Sequence, residues 1–231
     1  MNKENTDESS SPLHERQACG IRLLKSAHPD LRRLKAAHKP SLQGHKAWNS
    51  TYLLLDFLQD QPLPQGLRVL DVGCGWGLLS IFCARRFAAA VTAADIDEQV
   101  FPFLQLHARL NQVEVQTLHA SFAEIPDSLL YRQDLLVGAD ICFRDSMIDP
   151  LYSLFCRALD AGVSRIILAD PGRFPFHQLA TRCVQALGAS EIDWSTQEPT
   201  VVWSGASPQI RGRLLLVDRT PAKSLLSRSP A

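Results

Sequence analysis

The chain has 231 residues, with 24 Lys or Arg against 24 Asp or Glu and a hydrophobic content of 45%. This length and composition are typical of one soluble globular domain, and the zero net charge gives no argument for a polyanionic partner. We find neither an apolar run long enough to span a membrane nor a signal peptide. The six cysteines include no C-x-x-C pair, so we expect buried thiols in a cytoplasmic protein and no metal site.

Polar and basic segments flank the main part of the chain. Residues 1–20 and 221–231 lack an apolar period, and we expect them to be disordered tails. Residues 21–46 form a basic N-terminal cap segment with seven Lys or Arg against one acid, Asp30, which we expect to cap a short helix ending at His38. This segment is either a docking surface for an acidic protein or nucleic acid, or a solvated helix face that packs on the core through its leucines.

Residues 47–220 are predicted to form one α/β domain. An amphipathic helix over 47–59 comes first, with Trp48 at helical spacing. Strands and helices then alternate, with strands over 67–71, 90–95, 113–118, 134–138 and 165–169, and helices over 77–87, 98–111, 149–162 and 174–187. Three short β-like runs follow, at 191–195, 200–203 and 213–218. This order predicts a Rossmann-like three-layer sandwich, with a seven-stranded, mostly parallel sheet and an antiparallel C-terminal hairpin.

The segment from the first to the second strand carries the strongest chemical signal. Asp71 precedes a loop with glycines at 73, 75 and 77, and Asp95 ends the second strand, eighteen residues beyond Gly77. This is the order of a nucleoside-binding half-sheet. A dinucleotide loop would need glycine where Leu78 stands, and Asp71 would repel a pyrophosphate at the helix N-terminus. The segment therefore argues against a dinucleotide.

S-adenosylmethionine suits the same residues, because it has an α-ammonium group and no phosphate. Asp71 can accept a hydrogen bond from that ammonium, and Asp95 can accept from both ribose hydroxyls. Glycines let the backbone approach the ligand closely. The alternative is a tight turn with two solvated acids. We therefore expect an enzyme that transfers methyl groups from S-adenosylmethionine.

Through LDVGCGWG and the acid in AADID, the chain resembles the class I S-adenosylmethionine-dependent methyltransferases from about Trp48 to Asp218. It is most similar to the seven-strand protein lysine methyltransferases, in the group containing the electron-transfer-flavoprotein β-subunit lysine methyltransferase. Three segments carry this similarity: GHKAWNSTYLLLDFL, LLVGADICF and ADPGR. The resemblance implies a lysine of a protein substrate as the methyl acceptor.

The residues and the resemblance together give a set of expected cofactor contacts. The resemblance puts Trp48 near the cofactor, the glycine loop around its amino-acid end, Ser121 and Phe122 beside adenine, and Ala139 beside the methionine moiety. The complete expected set is Trp48, Asp71, Gly73, Cys74, Gly75, Gly77, Asp95, Ile96, Ser121, Phe122 and Ala139.

Candidate acceptor-side residues follow the fourth and fifth strands. Asp140 is a candidate for positioning the amine, and Phe143 for a pocket wall that makes a cation–π contact. The related group tends to have Asp-x-x-Tyr here, so Phe143 departs from its pattern by lacking a hydroxyl. Asp145 and Arg173 are substrate-side candidates, because ligands gather beyond the strand ends of open α/β sheets. Alternatively, Asp140 caps the strand end, and the other two are solvated loop charges.

Other functions stay open at this point. The acceptor could be a small-molecule amine, because no dedicated substrate domain is evident. A nucleic-acid acceptor has less support, because the fourth-strand region lacks an N-P-P-Y-like sequence and the basic run is isolated. A module that binds the cofactor without turnover is a further alternative.

Overall fold

The computed structural model describes residues 14–41, 43–44, 46–196 and 209–219. The strands are β1 Glu15–Ala18, β2 Ile21–Leu24, β3 Arg68–Val72, β4 Ala90–Asp95, β5 Gln116–His119, β6 Leu135–Ala139, β7 Arg165–Asp170, β8 Ser190–Ser195 and β9 Arg211–Asp218. The α-helices are α1 Pro29–Ala37, α2 Asn49–Asp60, α3 Leu78–Phe87, α4 Phe101–Leu110, α5 Asp127–Leu130, α6 Ile148–Asp160 and α7 Phe174–Leu187. Short 3₁₀ turns cover Glu98–Val100 and Asp145–Met147.

A seven-stranded sheet with strand order β5-β4-β3-β6-β7-β9-β8 forms the centre of the molecule. The first five strands in this order are parallel, and β9 is antiparallel to both β7 and β8. The predicted fold class is confirmed, although the predicted run 200–203 lies outside the described residues. After β3 the chain continues to β4 on one side of the sheet centre, and after β6 it continues to β7 on the other side. Open α/β sheets bind ligands at such a topological switch point.

Side-chain alternation along the strands builds two helix layers. Val69 packs in a cluster with residues of α2, α3 and α4, whereas its neighbour Leu70 packs with α6 and α7. Both are completely buried. A strand points successive side chains to opposite faces, so an uninterrupted apolar run such as β6 belongs at the centre of a three-layer sandwich.

The N-terminal part of the described chain differs from the sequence prediction. Glu15–Ala18, expected to belong to a disordered tail, pairs with Ile21–Leu24 in a hairpin. Its two-residue turn has positive φ angles at Cys19 and Gly20, as a tight hairpin requires. Ala18 and Ile21 are buried in the core. The strands are too short and polar for their apolar alternation to stand out in the sequence.

Two predicted helix starts also need correction. α1 begins at Pro29, and His28 is its cap, accepting a hydrogen bond from the backbone N–H of Asp30. α4 begins at Phe101 and not at residue 98, because Pro102 lacks the N–H that a helix interior needs and fits only the first turn.

The cap segment packs on the domain through its apolar side chains. Leu31 of α1 is completely buried, in a cluster with Leu24, Trp76 and Phe103. This packing matches the alternative in which the leucines hold a solvated basic face on the core. No helix in the described ranges has the length and apolar character needed to cross a bilayer.

His107 of α4 joins this cluster to β2, and we expect it to make stability depend on pH. Its Nε2 accepts the Leu24 N–H at 3.3 Å, and burial lowers its pKa to about 4. An unfolded histidine has a pKa of about 6.5, so the stability contribution is present above that pH and is lost as the pH falls toward 4. Between pH 7 and pH 5 the free energy of unfolding should lose about 2 kcal/mol through His107.

Urea unfolding of wild type and His107→Gln at both pH values measures this contribution. The difference between the two proteins isolates His107 from Asp71, whose pKa burial raises to about 7 and which therefore acts in the opposite direction. Equal losses in the two proteins would show that His107 is not the responsible group.

Candidate active site

A cavity of about 290 Å³ lies at the carboxyl ends of β3, β4 and β6. Ten of the fifteen predicted site residues line it: Trp48, Gly73, Gly75, Asp95, Ile96, Ser121, Phe122, Ala139, Asp140 and Phe143. The other five, Asp71, Cys74, Gly77, Asp145 and Arg173, do not. Asp95, Ser121 and Phe122, predicted for the nucleoside, therefore share one cavity with Asp140 and Phe143, predicted for the acceptor. This cavity lies at the topological switch point.

Asp95, at the end of β4, is held in one orientation by the backbone. Its Oδ2 accepts the Gly75 N–H and its Oδ1 accepts the Asp97 N–H, both at 3.0 Å. Burial raises its pKa from the ordinary value, while these N–H donors lower it. A carboxylate has about four lone-pair positions, so two remain for hydroxyl donors in the cavity.

The glycine loop combines an open position with a tightly packed one. Gly75 has φ +52°, and a Cβ built there would meet no atom within 4 Å. Gly77 has φ +73°, and its Cβ would lie 2.3 Å from Cγ of Leu104. Gly75 thus leaves the backbone accessible to a ligand, whereas Gly77 lets the loop pack on α4.

We expect Gly77→Ala to destabilise the fold by about 2–4 kcal/mol, because it adds a clash with Leu104 to the strain of a positive φ. Gly66→Ala is the matched control, since Gly66 has φ +76° with nothing within 4 Å of its Cβ. The control should lose only about 1 kcal/mol. Chemical denaturation of both variants measures the difference in the free energy of unfolding. Equal losses would mean that α4 shifts enough to accommodate the added methyl group.

Two predicted cofactor residues, Asp71 and Cys74, do not line the cavity. The Asp71 carboxylate is buried and accepts a hydrogen bond from Ser80 Oγ at 2.5 Å. Cys74 places its Sγ 3.8 Å from the carbonyl oxygen of Gly75. Asp71 does not line the cavity, so its predicted contact with a ligand ammonium stays a prediction. Asp71 joins β3 to α3, and in that way supports the loop.

Asp140, just beyond β6, links three elements at the cavity wall. It has a positive φ of 63°, which is uncommon for a residue other than glycine. Its Oδ2 accepts the Ser50 N–H in the first turn of α2 at 3.2 Å, and its Oδ1 pairs with Arg173 at 2.5 Å. A carboxylate at a helix N-terminus satisfies an unpaired N–H and complements the helix dipole. Burial raises the pKa of Asp140, and these two donors oppose the rise.

Arg173 is part of an ion-pair network and not a solvated loop charge. Its Nη2 lies 2.6 Å from Oδ2 of the buried Asp170, and the same nitrogen reaches Asp140. Asp170 also accepts the N–H groups of Gly172 and Arg173 at 2.9 and 2.8 Å. The ADPGR segment therefore folds into a compact turn that aims one guanidinium at the Asp140 carboxylate.

Phe143 and Asp145 have different surroundings. Phe143 is half-buried on the cavity wall, and the guanidinium carbons of Arg144 and Arg173 lie 5.4 and 5.9 Å from its ring centroid. The Phe143 ring therefore makes cation–π contacts with two arginines of the chain. Asp145 is exposed, and only its neighbours Ser146 and Met147 reach the cavity.

Sequence reasoning missed the contribution of the segment before α2. Trp48 is the N-cap of α2 and not part of the helix, and its Nε1 donates to the Gln43 carbonyl at 2.9 Å. The Lys46 ammonium lies 4.1 Å from the centroid of the Trp48 ring. Both Gln43 and Lys46 line the cavity. No spacing rule predicts these contacts, because the segment has no regular structure.

The same segment is held over the glycine loop and the residues after β4. Trp76 donates from Nε1 to the Gly44 carbonyl at 2.9 Å and stacks on Phe103. Asp97 accepts from the backbone N–H and the hydroxyl of Ser41, at 2.5 and 3.0 Å. The described residues between α1 and α2 that line the cavity, Gln43, Gly44, Lys46 and Trp48, thus close one side of it.

Comparisons with known proteins agree with this geometry. Residues 69–162 match the family model of a methyltransferase domain. The electron transfer flavoprotein beta subunit lysine methyltransferase of Xenopus laevis is 28% identical over 169 residues, which are 68% of this chain and 66% of the relative. A ubiquinone biosynthesis O-methyltransferase of Neisseria meningitidis serogroup C is 48% identical over 61 residues, 26% of each chain.

The fold has relatives of known structure. Magnesium protoporphyrin IX methyltransferase from Synechocystis PCC 6803, solved with bound SAM, superposes with a TM-score of 0.52 at 18% identity. The match covers 83% of this chain and 90% of that one. The methyltransferase domain over residues 69–162, the strand order and the lysine methyltransferase relative agree with the family predicted from the glycine loop and Asp95: the chain carries a methyltransferase domain and is similar to S-adenosylmethionine-dependent methyltransferases.

Proposed function

We propose that this protein transfers a methyl group from S-adenosylmethionine to the side-chain nitrogen of a lysine in a protein substrate. One observation carries the proposal: a single cavity joins Asp95 to Asp140 and Phe143. The similar protein of Xenopus laevis is a lysine methyltransferase, which supports lysine as the acceptor.

The residues present fit the donor. Asp95 offers acceptor positions for ribose hydroxyls, and Gly75 leaves space against the backbone. Ile96, Phe122 and Ile125 add apolar surface on the β5 side of the cavity. When bound, S-adenosylmethionine supplies an electrophilic methyl group on a sulfonium centre.

The acceptor must reach this methyl group as a neutral amine. Phe143 provides a ring face for an incoming ammonium group, and desolvation there lowers the pKa of the ammonium. Asp140 can hold the ammonium through lone pairs that Ser50 and Arg173 leave open. Its raised pKa also makes it a better proton acceptor than an exposed aspartate.

The chain then has to align the reactants. With S-adenosylmethionine bound, the amine lone pair would form the new N–C bond as the C–S bond breaks, the electrons of the C–S bond would stay on sulfur, and the amine proton would go to Asp140 or to solvent. Holding the two reactants in line contributes up to about 7–11 kcal/mol in favourable cases. Arg173 and Ser50 fix the Asp140 carboxylate for this alignment.

Transfer of a labelled methyl group to a cell lysate tests the proposal. The lysate is incubated with purified protein and methyl-labelled S-adenosylmethionine, then separated into protein, nucleic-acid and small-molecule fractions. We expect label in protein that acid hydrolysis releases as N-methyllysine. Label confined to small molecules or to nucleic acid would contradict lysine methylation and identify the other acceptor class.

A further inference from the structure

Arg157, near the C-terminal end of α6, binds the backbone of the loop that follows β5. Its Nη1 lies 3.2 Å from the Ala123 carbonyl and 3.5 Å from that of Phe122, and its Nη2 donates to the Ile125 carbonyl. Its Nε donates to Oδ1 of Asp127 at 2.9 Å. One guanidinium therefore gathers three carbonyl oxygens and a carboxylate.

This loop has little regular structure of its own. Between β5 and α5 the Glu124 N–H donates to the Ser121 carbonyl, and the Glu124 carboxylate accepts the Ser121 N–H. The carbonyls of Phe122, Ala123 and Ile125 have no backbone donor among the described residues. Arg157 supplies the donors that a strand or helix would otherwise provide. The loop conformation accordingly depends on a side chain from a different element.

The same three loop residues form one end of the cavity. Phe122, Ala123 and Ile125 line it, and the strand order places this loop beside Asp95, on the side away from Asp140. A ribose held by Asp95, with its sulfur-bearing end toward Asp140, must direct its base toward this loop. The loop is thus the wall for the purine of the donor.

We propose that Arg157 is a positioning residue for the methyl donor, and that it fixes the wall against which the purine packs. This inference rests on the proposed function. The guanidinium is suited to the task because its planar fork reaches several acceptors at once, whereas a lysine ammonium is a point charge on a flexible stem. The ion pair with Asp127, whose carboxylate is largely exposed, is secondary to the carbonyl contacts.

Ligand affinity of Arg157→Lys tests the role, since this variant keeps the charge and removes the fork. We expect the Kd for S-adenosylhomocysteine to rise about tenfold by calorimetry, with a similar factor for 5′-methylthioadenosine, which lacks the amino-acid part. Equal factors place the loss at the nucleoside half. Arg165→Lys is the matched control, because its side chain is equally exposed (28%) and its ion pair with Asp218 lies at the start of β7. The control should bind both ligands like wild type.

The outcomes separate this inference from the proposed function. If wild type binds the ligand and Arg157→Lys binds it with the same Kd, Arg157 has only a structural role, even if the variant has a lower Tm. That result would overturn this inference and leave the proposed function standing. Absence of binding by wild type would overturn both. If Arg157→Lys does not fold, Arg157→Gln replaces it, and a rise of about tenfold in both Kd values is expected because the guanidinium fork that holds the three carbonyls is lost. No rise in Arg157→Gln would then overturn the inference.

Discussion

Asp95→Ala is expected to weaken binding of S-adenosylhomocysteine by about a hundredfold, because the variant loses the carboxylate that we propose accepts hydrogen bonds from two ribose hydroxyls. It also loses the acceptor for the Gly75 N–H, so the glycine loop is less well fixed. Each hydrogen bond to a charged group contributes about 1.5–3 kcal/mol, and two of them account for this factor. Calorimetric titration of wild type and variant measures it.

Asp134→Ala is the control, because it also removes a carboxylate beside the end of a sheet strand. Asp134 pairs with Arg68 at the amino end of the sheet, away from the cavity. We expect it to bind the ligand like wild type, with any loss confined to stability. An Asp95→Ala variant that binds within about threefold of wild type would remove Asp95 from the donor site.

Asp140→Asn is expected to lower the rate of methyl transfer by about a hundredfold or more while the Kd for the donor stays within about threefold of wild type. The amide keeps the shape of the side chain and can still accept the Ser50 N–H, but it cannot take a proton. It also attracts a cationic acceptor less strongly. Initial rates of labelled methyl transfer to lysate protein, at saturating donor, measure the loss.

Stability has to be separated from chemistry in this variant, because Asp140 also pairs with Arg173. Urea unfolding gives the structural part, and Asp149→Asn is the control for loss of an exposed ion pair, here with Arg182. That control should transfer methyl groups like wild type. A normal transfer rate in Asp140→Asn would restrict Asp140 to linking α2, β6 and α7.

The parallel sheet and the donor half of the site are visible in the sequence because both depend on local patterns. Buried strands such as β6 give uninterrupted apolar runs, and the glycine loop must stand between a strand and a helix. Asp95 follows the same logic, since an acid that ends a parallel strand lies at the edge where ligands bind.

Asp71 shows that a motif alone does not define the direction of its side chain. Strand alternation places it on the same face as Val69, which packs under α2 and α3. Val69 is two residues before Asp71, so the Asp71 side chain is expected to point toward α3 as well, and there it contacts Ser80. The alternation of side chains along β3 therefore predicts the direction of the Asp71 side chain, whereas the motif alone does not.

The acceptor half depends on contacts between residues that are distant in the sequence. Asp140 meets Ser50 across 90 positions and Arg173 across 33. Lys46 and Gln43 reach the cavity from an irregular segment whose path is set by Trp76 and Asp97. Such contacts leave no period or spacing in the sequence, so they appear only once the chain is folded.

A calorimetric competition tests most directly whether the cavity binds S-adenosylmethionine and not a dinucleotide. Wild-type protein is titrated with S-adenosylmethionine, alone and in the presence of excess NAD⁺. We predict one bound S-adenosylmethionine per chain with a Kd that NAD⁺ does not change. Binding of NAD⁺ that displaces S-adenosylmethionine, or no binding of S-adenosylmethionine, would contradict it.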